Sequence, residues 1–123
     1  MVAVARVIDR PSSPPGASAQ AIDTQHLSRM TLGELSLQRE VLALFDRQAD
    51  ILLPRIRRGA PAVAAASVHT LKGSAAGIGA FRVARAAAAV EQAKDAAVAA
   101  AVDTLAAVLD EAKAEIACLL RMI

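Results

Sequence analysis

The hydrophobic positions near the C-terminus repeat at helical spacing. Between residues 98 and 119 they alternate in steps of four and three, which defines a narrow stripe along one side of an α-helix: Val98, Val102, Leu105, Leu109, Ala112, Ile116 and Leu119. This pattern predicts a long helix over residues 96–121 whose stripe packs against neighbouring helices.

An earlier segment carries a second stripe at the same period. Its apolar residues recur at helical spacings and predict an amphipathic helix that ends before Gly59: Leu37, Val41, Leu44, Phe45, Leu52 and Ile56. A Thr31/Glu34 pair at capping-box spacing is expected to start this helix. Asp23 or Thr24 is expected to cap a shorter helix that precedes it.

Glycine and proline divide the middle of the chain. Gly59 suits the end of one helix and Pro61 the first turn of the next, which should run to about Ile78. Gly77 and Gly79 then permit a tight connection into the helical stretch "AFRVARAAAAVEQAK". Four long helices with short connections predict an all-α fold, an antiparallel four-helix bundle with a short additional N-terminal helix. The stretch "RPSSPPGASAQ" predicts a flexible tail over residues 1–22, so the domain should occupy residues 23–123.

Composition limits the classes of function. A chain of 123 residues suits one domain, and a formal charge of +2 with Phe45 and Phe81 as the aromatic side chains argues against nucleic-acid binding. The sequence has neither a secretion signal nor an apolar run of about 20 residues, so we expect a cytoplasmic protein that does not enter the membrane. Cys118 lies in an apolar run and is expected to be a small buried thiol. His26, expected at the surface, is too far from His69 to predict a metal site.

The stretch "HTLKGSAAGIGA", from His69 to Ala80, places a histidine among small side chains. At about 100° per residue, Leu71 and Ile78 fall opposite His69, so the imidazole should point away from the core. The outer face around it carries only small residues: Ala62, Ala65, Ala66, Gly73 and Ala76. A solvated face normally carries long charged side chains, and a glycine within a helix costs about 1 kcal/mol. The pattern therefore favours a docking surface over an ordinary exposed histidine.

The following helix offers a partner for the ring. His69 lies about ten residues before the turn at Gly79, and Glu91 lies at a similar distance beyond it. In an antiparallel pair the two residues should be level, and a carboxylate that accepts from Nδ1–H would leave Nε2 as the exposed nucleophile. The alternative is a surface acid paired with Lys94. Arg82 and Arg85 are candidates to contact an acidic partner, or are solvated helix charges.

Together these residues form a compound motif: His69, Leu71, Lys72, Gly73, Gly79, Ala80, Val90 and Glu91. The motif resembles that of the histidine-containing phosphotransfer (HPt) domain, and the resemblance extends from Asp23 onward. It implies that His69 accepts and donates a phosphoryl group through Nε2, that Lys72 stabilises its charge, and that Gly73 leaves room for the partner's active site. The family pattern has leucine more often where Val83 and Val90 stand, which changes core volume rather than chemistry.

The resemblance also implies the partners. These are receiver domains of response regulators and of a hybrid histidine kinase, with Mg²⁺ bound in the receiver and no cofactor of the protein's own. The chain lacks a glycine-rich nucleotide loop, and Thr70 stands where kinase dimerisation domains usually have an acidic residue. We therefore expect a phosphocarrier without ATP binding or autokinase activity. We also expect a monomer, because four helices can close a core without a second chain. The alternatives are a non-catalytic four-helix adaptor and a phosphoacceptor domain detached from a larger histidine kinase.

Overall fold

A computed structural model describes residues 21–123, and these residues form helices and no strand. The helices are α1 (Thr24–Met30), α2 (Leu35–Arg58), α3 (Pro61–Gly77), α4 (Phe81–Gln92) and α5 (Ala97–Met122). The predicted all-α fold, with four long helices and a short one before them, is confirmed. None of these five helices is long and apolar enough to cross a membrane.

The four long helices form a closed bundle. Helix α2 packs against α3 and α5, and α4 packs against the same two helices. Arg57, near the end of α2, lies 3.2 Å from Asp103 near the start of α5. At the opposite end, Arg39 in α2 donates to the carbonyl oxygen of Leu120 in α5 at 3.2 Å. These contacts join opposite ends of the two helices, which therefore run antiparallel.

The core confirms most of the two hydrophobic stripes. Five residues of the predicted α5 stripe are buried: Val102, Leu105, Leu109, Ala112 and Ile116. Phe45, Leu52 and Ile56 of α2 are buried as well. Leu44 was assigned to the core wrongly, since its side chain is 58% exposed. It lies about 100° around the helix from Phe45 and so leaves the buried stripe.

Two further residues of α5 differ from expectation. Val98 is 36% exposed because it lies in the first turn of α5, at the end of the bundle. Cys118 is exposed rather than buried. It lies about 200° around the helix from the buried Ile116, on the side that faces solvent.

The helix caps confirm one prediction and correct another. The carboxylate of Asp23 caps α1, because Oδ1 accepts from the backbone N–H of His26 at 3.0 Å. The Thr31/Glu34 capping box is wrong. The Thr31 hydroxyl donates to the carbonyl of Leu27 at 2.7 Å and so closes α1, whereas α2 begins without a side-chain cap. A threonine between two helices can satisfy either end, and spacing alone does not decide which.

The chain enters the bundle before α1. Ala21 and Ile22 are buried, and their backbone N–H groups donate to the carboxylate of Glu115 at 3.3 Å and 3.4 Å. Both residues were assigned to the tail predicted over residues 1–22, whose other residues lie outside the described ones. The packed part of the chain therefore includes at least these two residues ahead of Asp23.

Gly79 fixes the tight connection between α3 and α4. Its φ is +84°, and a Cβ added there would lie 2.7 Å from the carbonyl oxygen of Asp23. The backbone N–H of Asp23 donates to the Gly79 carbonyl at 2.9 Å. This close approach seats the start of α1 on the α3–α4 turn, and only glycine suits both the conformation and the space.

We expect Gly79→Ala to lower the free energy of unfolding by about 1–3 kcal/mol, because alanine is strained at positive φ and would clash with Asp23. Urea unfolding followed by circular dichroism measures the effect. Gly77→Ala is the matched control, since an added Cβ at Gly77 meets nothing within 4 Å. Equal stabilities of the two variants would show that Gly79 is not required by the backbone.

Candidate functional site

His69 projects from the middle of α3 into solvent. Its side chain is 77% exposed. The opposite side of α3 is buried, with Val68, Leu71 and Ala75 among the core residues. Because these apolar residues hold the inner face of the helix in the bundle, the imidazole is held on the outside. The orientation predicted from the helical period is confirmed.

The surface beside His69 is formed by small side chains. An added Cβ at Gly73 would meet nothing within 4 Å. The other small residues predicted for this face are exposed at Ala62, Ala65 and Ala66 and half-buried at Ala76. Because these alanines and Gly73 have short side chains or none, they do not cover the ring. A second protein can therefore bring its backbone close to the imidazole.

Glu91 of α4 lies beside the ring, at the level that antiparallel counting predicts. Its Oε2 is 3.5 Å from Nδ1 of His69. That separation exceeds the usual 2.7–3.2 Å of an N–H···O hydrogen bond. The carboxylate therefore faces Nδ1 without the tight orienting bond that the sequence predicts.

Lys72 binds the same carboxylate. Its Nζ lies 2.6 Å from Oε1 of Glu91, whose side chain is 26% exposed. Within residues 21–123 Glu91 thus forms its ion pair with Lys72 and lies beside His69, and it does not pair with Lys94. The hydrogen bond from Lys72 is the main cause that lowers the pKa of Glu91 below its ordinary value, and desolvation opposes it. The carboxylate is accordingly ionised at neutral pH.

The two arginines proposed to contact a partner differ in their surroundings. Arg82 pairs with Glu111 of α5 at 2.8 Å, which holds its guanidinium group against the bundle. Arg85 is exposed. His26 is half-buried rather than at the surface, with its ring centroid 5.0 Å from that of Phe81. No group of three His, Cys, Asp or Glu side chains in the described part of the chain is arranged to hold a metal ion.

A groove between α2 and α3 extends the site beyond the predicted residues. Three apolar side chains along it are 58%, 54% and 46% exposed, those of Leu44, Ile51 and Val63. Arg47 and Arg55 also line it. Thr70, the neighbour of His69, and Ala66 lie in its α3 wall. We refer to these residues as the α2–α3 groove.

Sequence reasoning missed most of the α2–α3 groove. Leu44 was counted as core, and Ile51 and Val63 were not assigned. Ile51 could have been found, because it lies about 100° from Leu52 around α2 and outside the buried stripe. An exposed apolar strip next to a reactive side chain is typical of a protein-binding surface.

Comparisons with known proteins agree with this fold and site. A family model described as the Hpt domain matches residues 37–115. The chain therefore belongs to the HPt domain family. The crystal structure of the histidine phosphotransferase ShpA from Caulobacter crescentus is similar at a TM-score of 0.70 and 28% sequence identity, over 83% of this chain and 92% of that one. No curated protein matches the chain.

Family membership gives the general role. HPt domains interact with receiver domains in phosphorelays, and the chain is a phosphotransfer protein of this kind. Its particular chemistry depends on the exposed histidine on α3 and on the small side chains around it.

Proposed function

We propose that this protein carries a phosphoryl group on Nε2 of His69 between the aspartates of receiver domains. The observation that carries the proposal is the 77% exposed imidazole of His69, which stands on the outer face of a helix whose inner face is buried in an HPt bundle. Phosphoryl transfer requires mainly alignment and neutralisation of charge, and a rigid helix supplies the alignment. The acceptor aspartate and its Mg²⁺ belong to the receiver.

The transfer step follows from the two ring nitrogens. The lone pair of Nε2 attacks the phosphorus of an aspartyl phosphate, and the P–O bond breaks with its electron pair returning to the aspartate carboxylate. The proton stays on Nδ1, so the phosphorylated ring is cationic. The ionised carboxylate of Glu91, 3.5 Å from Nδ1, offsets that charge. In the reverse step an aspartate oxygen attacks phosphorus, and the electron pair of the N–P bond returns to Nε2.

The same proposal assigns the α2–α3 groove to the receiver. A receiver whose active site reaches Nε2 covers Thr70 and Ala66, which belong to the groove wall. The exposed apolar side chains of Leu44, Ile51 and Val63 would then be buried, and Arg47 and Arg55 would meet acidic groups of the partner. The chain acts as a monomer in this proposal, since its own four helices close the core.

The source of the phosphoryl group tests the proposal. Incubation with a phosphorylated receiver domain should label the protein, whereas incubation with ATP and Mg²⁺ alone should not. The reason is that the proposed chemistry needs an aspartyl phosphate and no nucleotide site. Radiolabel detected after gel electrophoresis at short times measures both reactions. Labelling by ATP in the absence of a kinase, or no labelling by any receiver of the source genome, would contradict the proposal.

A charged side chain placed in the α2–α3 groove tests whether the receiver binds there. We expect Ile51→Glu to weaken receiver binding by about tenfold or more, because a carboxylate would replace a buried apolar contact. Isothermal titration calorimetry with the receiver that transfers fastest measures the affinity. Leu35→Glu is the matched control, because Leu35 is 60% exposed at the start of the same helix and outside the groove. Equal binding by the two variants would place the docking surface elsewhere.

A further inference from the structure

The ammonium group of Lys72 is already bound before any phosphoryl group arrives. Its Nζ lies 2.6 Å from Oε1 of Glu91, and the other oxygen of that carboxylate faces His69 at 3.5 Å. A single carboxylate from α4 thus contacts both α3 residues that are proposed to act on the phosphoryl group. A contact of 2.6 Å between opposite charges is short even for a charge-assisted hydrogen bond.

We propose, on the basis of the proposed function, that Glu91 is a positioning residue that competes with the phosphoryl group for Lys72 and so limits the stability of the phosphorylated histidine. Lys72 follows His69 by three positions on α3, so its side chain rises on the same side of the helix as the ring. Glu91 approaches from the neighbouring helix. The ammonium group therefore lies between two acceptors that belong to different parts of the site.

Phosphorylation makes the phosphoryl oxygens and the Glu91 carboxylate compete for the ammonium group of Lys72. The incoming group places negative charge on the Nε2 side of the ring, and Lys72, one turn further along α3, is a cation within reach of that charge while it is paired with Glu91. Its interaction with the phosphoryl oxygens weakens the pair with Glu91, because an ammonium group shared between two anions binds each less well. The phosphorylated state thus gives up part of an interaction that the free state keeps. The consequence is a phosphoryl group that is less firmly held and more readily passed on.

Loss of the phosphoryl group to water reports this effect without a partner protein. A water oxygen attacks phosphorus, the N–P bond breaks with its electron pair returning to Nε2, and inorganic phosphate leaves. Phosphoramidate loads histidine directly, since Nε2 displaces ammonia from its phosphorus. The decay of phosphohistidine in the loaded, full-length protein is then followed by ³¹P nuclear magnetic resonance.

Four proteins make up the test: the wild type, Glu91→Gln, Lys72→Gln and the double variant. Glutamine keeps an oxygen that accepts from Nδ1–H but lacks the charge that holds Lys72. We expect Glu91→Gln to lengthen the half-life of phosphohistidine about threefold to tenfold when Lys72 is present. When Lys72 is replaced, Glu91→Gln should leave the half-life unchanged or shorten it, because only the contact between Glu91 and the ring then remains. The dependence on Lys72 separates competition from any effect of Glu91 on the ring itself.

Two results would overturn the inference. The first is an equal lengthening in both backgrounds, which would mean that Glu91 acts through His69 alone. The second is a shorter or unchanged half-life in Glu91→Gln with Lys72 in place. Either result leaves the proposed function standing, because loading with phosphoramidate needs no receiver. Conversely, failure of every receiver to exchange phosphate would contradict the proposed function and leave this comparison intact.

The contact between Lys72 and Glu91 can be tested in the unphosphorylated protein. The pKa of the Glu91 carboxyl, measured by ¹³C resonance, should rise toward its ordinary value in Lys72→Gln, because the ammonium group is the main cause of its lowering. A pKa that does not move would show that the two side chains are not paired in solution, and the competition would have no basis.

Discussion

Replacing His69 by glutamine is expected to abolish acceptance of a phosphoryl group from any receiver domain. Glutamine has no nucleophilic lone pair comparable to that of Nε2, so the N–P bond cannot form. The fold should be unaffected, because a side chain that is 77% exposed contributes little to the core. We expect the free energy of unfolding to change by no more than about 0.5 kcal/mol. Transfer of label from a phosphorylated receiver measures the loss directly.

His26→Gln is the matched control, because His26 is the other histidine of the chain. It should retain transfer, since its ring packs against Phe81 at 5.0 Å and takes no part in the site. Undiminished labelling of the His69→Gln protein would contradict the assignment. Receiver binding without labelling of the wild type would instead support the alternative of a non-catalytic adaptor.

Replacing Gly73 by leucine should separate activity from stability. The transfer rate is expected to fall by about 100-fold or more, because a long side chain one turn from His69 holds the receiver away and misaligns the reacting atoms. The protein itself should become more stable by up to about 1 kcal/mol, since leucine favours the helix and an added Cβ meets nothing within 4 Å. Single-turnover transfer and urea unfolding measure the two effects on the same sample.

Gly77→Leu provides the comparison for Gly73→Leu. Gly77 also has open space around an added Cβ, but it lies two turns beyond His69 on α3. Its replacement should therefore reduce transfer much less. If the Gly73→Leu protein transferred at the wild-type rate, the low surface beside the ring would not be the place where the receiver's backbone approaches.

The orientation of the site could be predicted from the sequence because it depends on one regular helix. The helical period alone sets Leu71 opposite His69, and the core then fixes which of the two faces inward. The position of Glu91 beside His69 could be predicted as well, because α3 and α4 are antiparallel and Gly79 marks the turn between them. Both predictions rest on distances along the chain that a helix converts directly into distances in space.

Features that depend on several neighbours at once could not be read in the same way. Lys72 and Glu91 are flexible side chains on different helices. Their pairing depends on how the ion pair compares in free energy with hydration of each group and with contacts to the His69 ring. Leu44 was misplaced because it adjoins Phe45 in the sequence, although only one of two adjacent helical residues can lie at the centre of a narrow stripe. Thr31 closes α1 instead of opening α2, a choice between two nearby sets of backbone groups.

The position of the phosphoryl group on the protein is the most direct test of the role assigned to His69. After a receiver domain has labelled the protein, ¹H–¹⁵N correlation spectra of the imidazole and mass spectrometry of its peptides identify the modified atom. We predict a single acid-labile phosphoryl group on Nε2 of His69. A phosphoryl group on another residue, or on Nδ1 facing Glu91, would contradict that assignment.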